Sequence, residues 1–585
     1  MGVETVQKDD LEIKLNAGFL KKFNIVVVLL IVFAIVLLKF LSVYDGGMLS
    51  HPAPYNYLAG DMFAFSTYAE FAKYENDLTV APPYISEGEE NIVITFSMIG
   101  PIISAQLSQF TGVETYDFII HINILFIILS ALIIFQFLYK IDKKLAFFSL
   151  PLALLVFKWP FLYTITWGMH VSNVNLLFVA VSLLCLAYLD KKYVFIVLGI
   201  MNGAGFLAHA RETLMFNTAI ALYFFARLLK EKILVNLLKQ PSLIKTYLHE
   251  NKTIISLKNY LFSIPIMLLM MFRYIPILSI FLHTKSAAYV YGESSNLISW
   301  MPPWLPSHVW FKDFGFYQYI IFAGAIVALF CLIFQKNRTL DIIASFAIMF
   351  MFNGFFSVLG NKTTQIRHLF PILLMPLVGL ALFFIYNSLK KPLKNKSEIV
   401  FVILFVIMIY FTAANHMPSP ISDYAFSDPY TWNAFTWVKN NVADNEKVLI
   451  LYGDRHNQET MFYMMRKVQF RAWPEEYLKK VSTNILNSTL FTKGTILAEN
   501  FRKTESGEIT HDPAITTWMN ETLCSYNYVY SDKLSSNSQI QKYTLAMLEK
   551  LIKENNFSVA YQNELVVVLK NNNVGGKCFE DEVLV

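Results

Sequence analysis

Charge is scarce in this sequence. Asp, Glu, Lys and Arg make up 16% of its 585 residues, against 55% hydrophobic and 16% aromatic. A soluble chain of this length needs a solvated surface, and so few charges do not cover one. Cysteine is scarcer still. There are four, Cys185, Cys331, Cys524 and Cys578, with no CxxC-type spacing, so no metal site of that kind is expected. Internal repeats are missing, which counts against a secondary transporter built from two matching halves. No small-residue cleavage site follows the first hydrophobic run, so no cleavable signal peptide is expected. The net charge of +5 is small and gives no reason to expect a nucleic-acid partner.

What the chain has instead is long apolar runs. Windows of about 18 or more apolar residues recur, the mark of a polytopic α-helical membrane protein. Eleven spans are expected, at 24–42, 117–139, 145–165, 172–190, 193–209, 212–229, 259–282, 316–334, 340–359, 369–388 and 398–415. A twelfth run, 92–110, contains Pro101 and several polar residues. If it crossed the bilayer, Lys140, Lys143 and Lys144 would fall on the same side as the acidic first loop. If it lies on the surface, every basic loop falls on one side, so 92–110 is expected to be an interfacial helix.

The loop 43–91 is then external. It carries Asp45, Asp61, Glu70, Glu75, Asp77, Glu87, Glu89 and Glu90 against Lys73 alone. With the interfacial helices, the external segment runs over 43–116 of a transmembrane unit, 1–415. The remainder, 416–585, is expected to be a small extracytoplasmic α/β domain. "TWNAFTWVKNNV" has helical spacing, "EKVLILYGD" reads as a buried strand, "QETMFYMMRK" as a helix and "SVAYQNELVVVLK" as two strands. Cys524 and Cys578 both lie there, and a disulfide between them would close a loop of about fifty residues.

Within the first external loop, "GDMFAFSTYAEFAK" puts Asp61, Phe65, Tyr68 and Ala72 on one helical face. Asp61 follows Gly60 at the expected helix start. There it serves as an N-cap, worth about 1 kcal/mol, or as a carboxylate held at the membrane surface, where desolvation favours proton uptake. One Asp can do both.

The order of features from this point resembles the GT-C superfamily of membrane glycosyltransferases. A first span leads to a large external loop with an acid near its start. A helix, a "PPY" turn, an interfacial helix and the span "YDFIIHINILFIILSALIIFQFLYK" follow. The layout is nearest to the protein mannosyltransferase-like and aminoarabinose transferase-like branches. "GAGFLAHARETLMF" resembles the family's basic outer turn between the fifth and sixth spans. "QIRHLFPILLMPLVGLAL" resembles its late Arg-and-Pro span. Asp61 is followed by Met62, where some branches carry an Asp-Glu pair. No Trp-Trp-Asp-Tyr-Gly motif occurs, which argues against en bloc transfer to Asn sequons.

The resemblance implies transfer of a hexosyl or pentosyl group from a polyprenyl-phosphate donor outside the cytoplasm, with a lipid, glycan or protein as acceptor. That chemistry needs a base for the acceptor hydroxyl, expected at Asp61, and cations for the departing phosphate. Arg211, Arg273 and Arg367 are the candidates. Arg273 lies within an expected span, where an arginine marks a functional site or a structural pair. Arg211 is free to pair with Glu212 or a headgroup instead. His170, Glu89, Glu90 and His368 are candidates for a metal or the substrate. Oxygen ligands there would suit Mg²⁺ or Mn²⁺, and the cofactor question stays open. For His368 interfacial anchoring competes, and for His170 an ordinary hydrogen-bonded surface position. A secondary transporter and a polysaccharide polymerase or ligase remain the alternatives.

Overall fold

The computed structural model describes residues 60–74, 99–157, 161, 165, 170–233, 250–272, 298–300, 314–334, 337–353, 356–358, 370–393, 397–413, 429–451, 469–471, 481–483, 485–486, 489–496, 500–503, 506, 509–512, 516–532, 538–553, 556–576 and 583–584. The expected span at 24–42 and the expected helix "QETMFYMMRK" lie outside these residues.

The helices, in chain order, are α1 (Gly60–Tyr74), α2 (Ile99–Thr111), α3 (Thr115–Tyr139), α4 (Lys143–Ala153), α5 (His170–Ala187), α6 (Val194–Lys230), α7 (Lys252–Met270), α8 (Tyr317–Phe334), α9 (Arg338–Asn353), α10 (Phe370–Leu393) and α11 (Ser397–Ala413). Among the described residues, five segments are long and apolar enough to cross a membrane: His121–Tyr139, His170–Ala187, Lys252–Met270, Tyr317–Phe334 and Pro371–Lys390. Val194–Ala210 and Ile399–Thr412 are apolar but shorter. The described length of α2, 13 residues, spans about 20 Å, short of a hydrocarbon core of about 30 Å. Within the expected span 145–165, α4 ends at Ala153. It contains Pro151 and continues as a 3₁₀ turn over Leu154–Phe157.

Membrane helices have little hydrophobic force between them and associate through close packing and internal hydrogen bonds. Both are visible. At Gly324 of α8, an added Cβ would stand 2.0 Å from the Leu377 carbonyl oxygen of α10, so only glycine allows that approach. Ion pairs tie α6 to α9 and α9 to the turn that follows α5. The carboxylate of Asp341, itself buried, lies 2.8 Å from both Arg227 and Lys230. Arg338 reaches Asp190 at 3.3 Å and donates to the Tyr223 hydroxyl at 2.8 Å. Such charges survive inside a membrane protein because each has a partner.

Past the last membrane helix, α12 (Pro429–Asn441) and α13 (Ser538–Lys553) flank a sheet of five strands. These are β3 (Val448–Ile450), β4 (Gln469–Arg471), β10 (Tyr528–Asp532), β11 (Phe557–Gln562) and β12 (Val566–Asn571), in the order β11-β12-β10-β3-β4. β3 runs parallel to β4 and β10, and β12 antiparallel to β10 and β11. Alternate residues of each strand point to opposite faces. Val448, Ile450, Tyr528, Tyr530, Val566 and Val568 belong to one core with Trp432, Phe435 and Val438 of α12. Leu449, Val529, Val567 and Leu569 belong to another with Tyr543, Met547 and Leu551 of α13. The α12 core is continuous with that of the membrane helices. The remaining strands are β1 (Ile298–Trp300) with β2 (Phe356–Val358), β5 (Ile485–Leu486) with β13 (Val583–Leu584), β6 (Thr489–Ile496) with β9 (Thr516–Thr522), and β7 (Asn500–Lys503) with β8 (Ile509–Asp512). Cys524 is disulfide-bonded. Its expected partner, Cys578, lies outside the described residues.

Candidate functional site

Helix α1 starts at Gly60, which puts the backbone of Asp61 inside the first turn rather than at the cap before it. A carboxylate there complements the positive end of the helix dipole. The Asp61 side chain itself is not among those described. Its face of the helix is. Phe65, four residues on and above the same face, has its ring 5.9 Å from the ring of His170. Phe65 and Tyr68 of that face are half-buried, whereas Ser66, Thr67, Ala69, Glu70 and Phe71 are buried. The expected face is thus the less enclosed one.

His170, expected at a surface turn, is fully buried as the first residue of α5. Its Nδ1 lies 2.6 Å from Asn123 Oδ1 of α3, and its Nε2 lies 3.1 Å from Ser104 Oγ of α2. With Asn123 Oδ1 accepting, Nδ1 carries a proton, and Nε2 meets the Ser104 hydroxyl. Asn123 Nδ2 in turn donates to the Ile165 carbonyl at 3.4 Å. Helix α2 comes this close because Gly100 has no side chain: a Cβ there would stand 3.0 Å from His170 Cδ2 and Nε2. His170 is therefore a joint between α2, α3 and α5, with α1 resting on it through Phe65. Both ring nitrogens are engaged and the ring is buried, which corrects its reading as a surface position. The cause is burial: where water is excluded, neighbouring helices must satisfy the ring.

A second polar cluster joins α5 to α6. Helix α6 is broken at His209, whose φ and ψ are −154° and 93°. The break falls between the two expected spans 193–209 and 212–229. The His209 carbonyl accepts from Asn175 Nδ2 and from Thr213 Oγ1, each at 3.3 Å. Glu212 accepts from Ser172 Oγ through one oxygen and from Asn175 Nδ2 through the other, both at 3.0 Å. Thr213 Oγ1 also lies 3.1 Å from Asn175 Oδ1. Gly205 makes room, since a Cβ there would meet Thr213 Oγ1 at 2.8 Å and Asn175 Oδ1 at 2.9 Å. The backbone of Arg211 lies in α6 just after the break, but its side chain is not among those described. Arg273, Arg367, His368, Glu89 and Glu90 lie outside the described residues.

A third group connects α1 to the C-terminal sheet. Thr115 donates to buried Glu70 at 2.5 Å, and Lys73 lies 3.8 Å from Glu70 and 3.7 Å from Glu114. Glu114 also pairs with Lys439 of α12 at 3.1 Å, and the rings of Tyr116 and Trp432 meet edge-on at 5.1 Å. The helix that carries Asp61 is thus fastened to α3 and linked to α12 through Glu114. Sequence reasoning missed Ser104, Asn123, Ser172, Asn175 and Thr213. Their signal was present as short polar residues within apolar runs, Ser172, Asn173 and Asn175 of "HVSNVNLL" most plainly. Among the described residues no group of three or more His, Cys, Asp or Glu side chains is placed to hold a metal ion.

No family model matches the chain, and no curated protein matches it. Solved structures do. The fold is similar to that of the Archaeoglobus fulgidus oligosaccharyltransferase tethered to an acceptor peptide containing the NVT sequon. That match has a TM-score of 0.50 and 11% identity over 92% of this chain and 88% of that one. The A. fulgidus oligosaccharyltransferase AglB, in complex with an inhibitory peptide and a dolichol-phosphate, matches at TM-score 0.46 and 12% identity, over 75% of this chain. There the chain spans 64% of the other protein's length. ArnT from Cupriavidus metallidurans, bound to undecaprenyl phosphate, matches at TM-score 0.47 and 11% identity, over 94% and 99% of the two chains. The likeness is one of fold.

Proposed function

We propose that the protein is a membrane glycosyltransferase. It moves a hexosyl or pentosyl group from a polyprenyl-phosphate donor to an acceptor on the extracytoplasmic side, inverting the anomeric carbon. The observation that carries this reading is the fold shared with an oligosaccharyltransferase over 92% of this chain and 88% of that one. Fold alone supports many activities. The reading therefore also leans on α1, which has an acid, Asp61, in its first turn and packs through Phe65 on a buried polar joint.

In the proposed reaction the acceptor hydroxyl attacks the anomeric carbon from the face opposite the phosphate. Its proton passes to the Asp61 carboxylate, the new C–O bond forms, and the bond to the phosphate oxygen breaks. The polyprenyl phosphate leaves with the electron pair, and Arg211, Arg273 and Arg367 stabilise its charge. The lipid enters from the bilayer and the acceptor, a lipid, glycan or protein, from outside, with 416–585 on that same side. This orientation rests on the placement of basic loops on the cytoplasmic face. If a divalent cation, Mg²⁺ or Mn²⁺, takes part, Asp61, Glu89 and Glu90 are the oxygen donors proposed for it.

The test is transfer. Membranes carrying the protein, given a radiolabelled polyprenyl-phosphate sugar, should place label on an acceptor. Movement of the labelled lipid across the membrane without transfer would overturn the reading in favour of a transporter.

A further inference from the structure

We infer that Glu212 is a positioning residue for Arg211. The inference rests on the proposed phosphate-binding role of Arg211. A helix inside a membrane protein does not leave its backbone groups unpaired, so a break needs side chains to take over the lost bonds. At His209 those side chains are Asn175 and Thr213, both bonded to its carbonyl. Two residues after Arg211 is Thr213, and between them Glu212 is gripped through both oxygens by Ser172 and Asn175 of α5. One amide, Asn175 Nδ2, therefore holds the break and the carboxylate together. Glu212 lies in the first turn of the half-helix that restarts after the break, where the dipole favours a negative charge. Its side chain is 11% exposed, and its nearest cationic candidate among the described residues is the His209 ring, at 3.6 Å. The carboxylate is thus committed to α5. It fixes the direction in which the chain leaves the break, and with it the backbone of Arg211.

The fitting experiment measures donor KM and kcat, with a polyprenyl-phosphate sugar as probe, for Arg211→Ala, Glu212→Gln and the double variant. Glu212→Gln keeps the shape but sets an amide N–H₂ against Asn175 or Ser172. KM should rise about tenfold, the scale of one charge-assisted hydrogen bond, with kcat within about twofold. Arg211→Ala should raise KM at least as far, and adding Glu212→Gln to it should change KM by less than about twofold, because both act through one side chain. Should Glu212→Gln fail to fold, Ser172→Ala removes only one donor and should shift KM the same way by a smaller factor. An unchanged KM in Glu212→Gln beside a raised KM in Arg211→Ala overturns this inference alone. Multiplied losses in the double variant overturn it too. An unchanged KM in Arg211→Ala overturns the phosphate role on which it rests.

Discussion

The joint at His170 gives a stability prediction that can be worked from its contacts. Replacing His170 by Ala removes the bonds to Asn123 and Ser104 and empties the space between α2, α3 and α5. Hydrogen bonds inside membrane proteins average about 0.6 kcal/mol and reach about 1.7, so two contribute about 1–3 kcal/mol. The cavity left by a fully buried ring adds about 2–4 kcal/mol when the walls relax only in part. His170→Ala should therefore cost about 3–7 kcal/mol. His170→Gln, which can re-form one of the two bonds and fills much of the space, should cost about 1–2 kcal/mol. The assay is equilibrium unfolding of the purified protein in mixed micelles, with transfer activity measured on the folded fraction. A structural joint predicts that folded His170→Gln keeps its activity. An Ala variant as stable as the wild type would refute the packing argument, and a stable but inactive Gln variant would return His170 to the list of reacting groups.

Three further predictions follow from other contacts. The Glu114–Lys439 pair is 40% and 29% exposed, so a double-mutant cycle with Ala should give a coupling of about 0.5–1 kcal/mol that shrinks at 0.5 M salt. Zero coupling at low salt would show that this pair does not hold α12 in place. Gly324→Ala should cost about 2 kcal/mol or more in unfolding, because the Cβ meets backbone of Leu377 rather than a movable side chain. Wild-type stability would show that α8 and α10 are free to separate. For topology, an impermeant thiol reagent on intact cells should label Ser86→Cys and spare Lys143→Cys, and equal labelling would contradict the assigned sides.

The parts of the fold legible in the sequence are those set by local pattern. Apolar runs mark α3, α5, α8 and α10, since length and hydropathy alone decide what can span a bilayer. The strand at Val448–Ile450 and the pair Phe557–Gln562 and Val566–Asn571 also fall where alternation and apolar runs place them. Periodicity failed on the buried side of α1. It ranks apolar residues as inward-facing, yet Glu70 is buried because Thr115, forty-five positions away, supplies its donor. Asp341 was passed over for the same reason, as its partners Arg227 and Lys230 come from another helix. The break in α6 was half-legible. Two expected spans meet there, but the side chains that make it possible, Asn175 and Thr213, have meaning only once α5 lies beside α6.

The central claim is that an acid in the first turn of α1 serves as the base in glycosyl transfer. Single-turnover transfer from a radiolabelled polyprenyl-phosphate sugar, measured beside thermal unfolding for wild type and Asp61→Asn, tests it most directly. Asn keeps a similar shape and a first-turn polar group but removes the charge. The account predicts transfer by the wild type, a rate lower by about 100-fold or more in Asp61→Asn, and unfolding little changed. An Asp61→Asn variant that transfers sugar at the wild-type rate would contradict it.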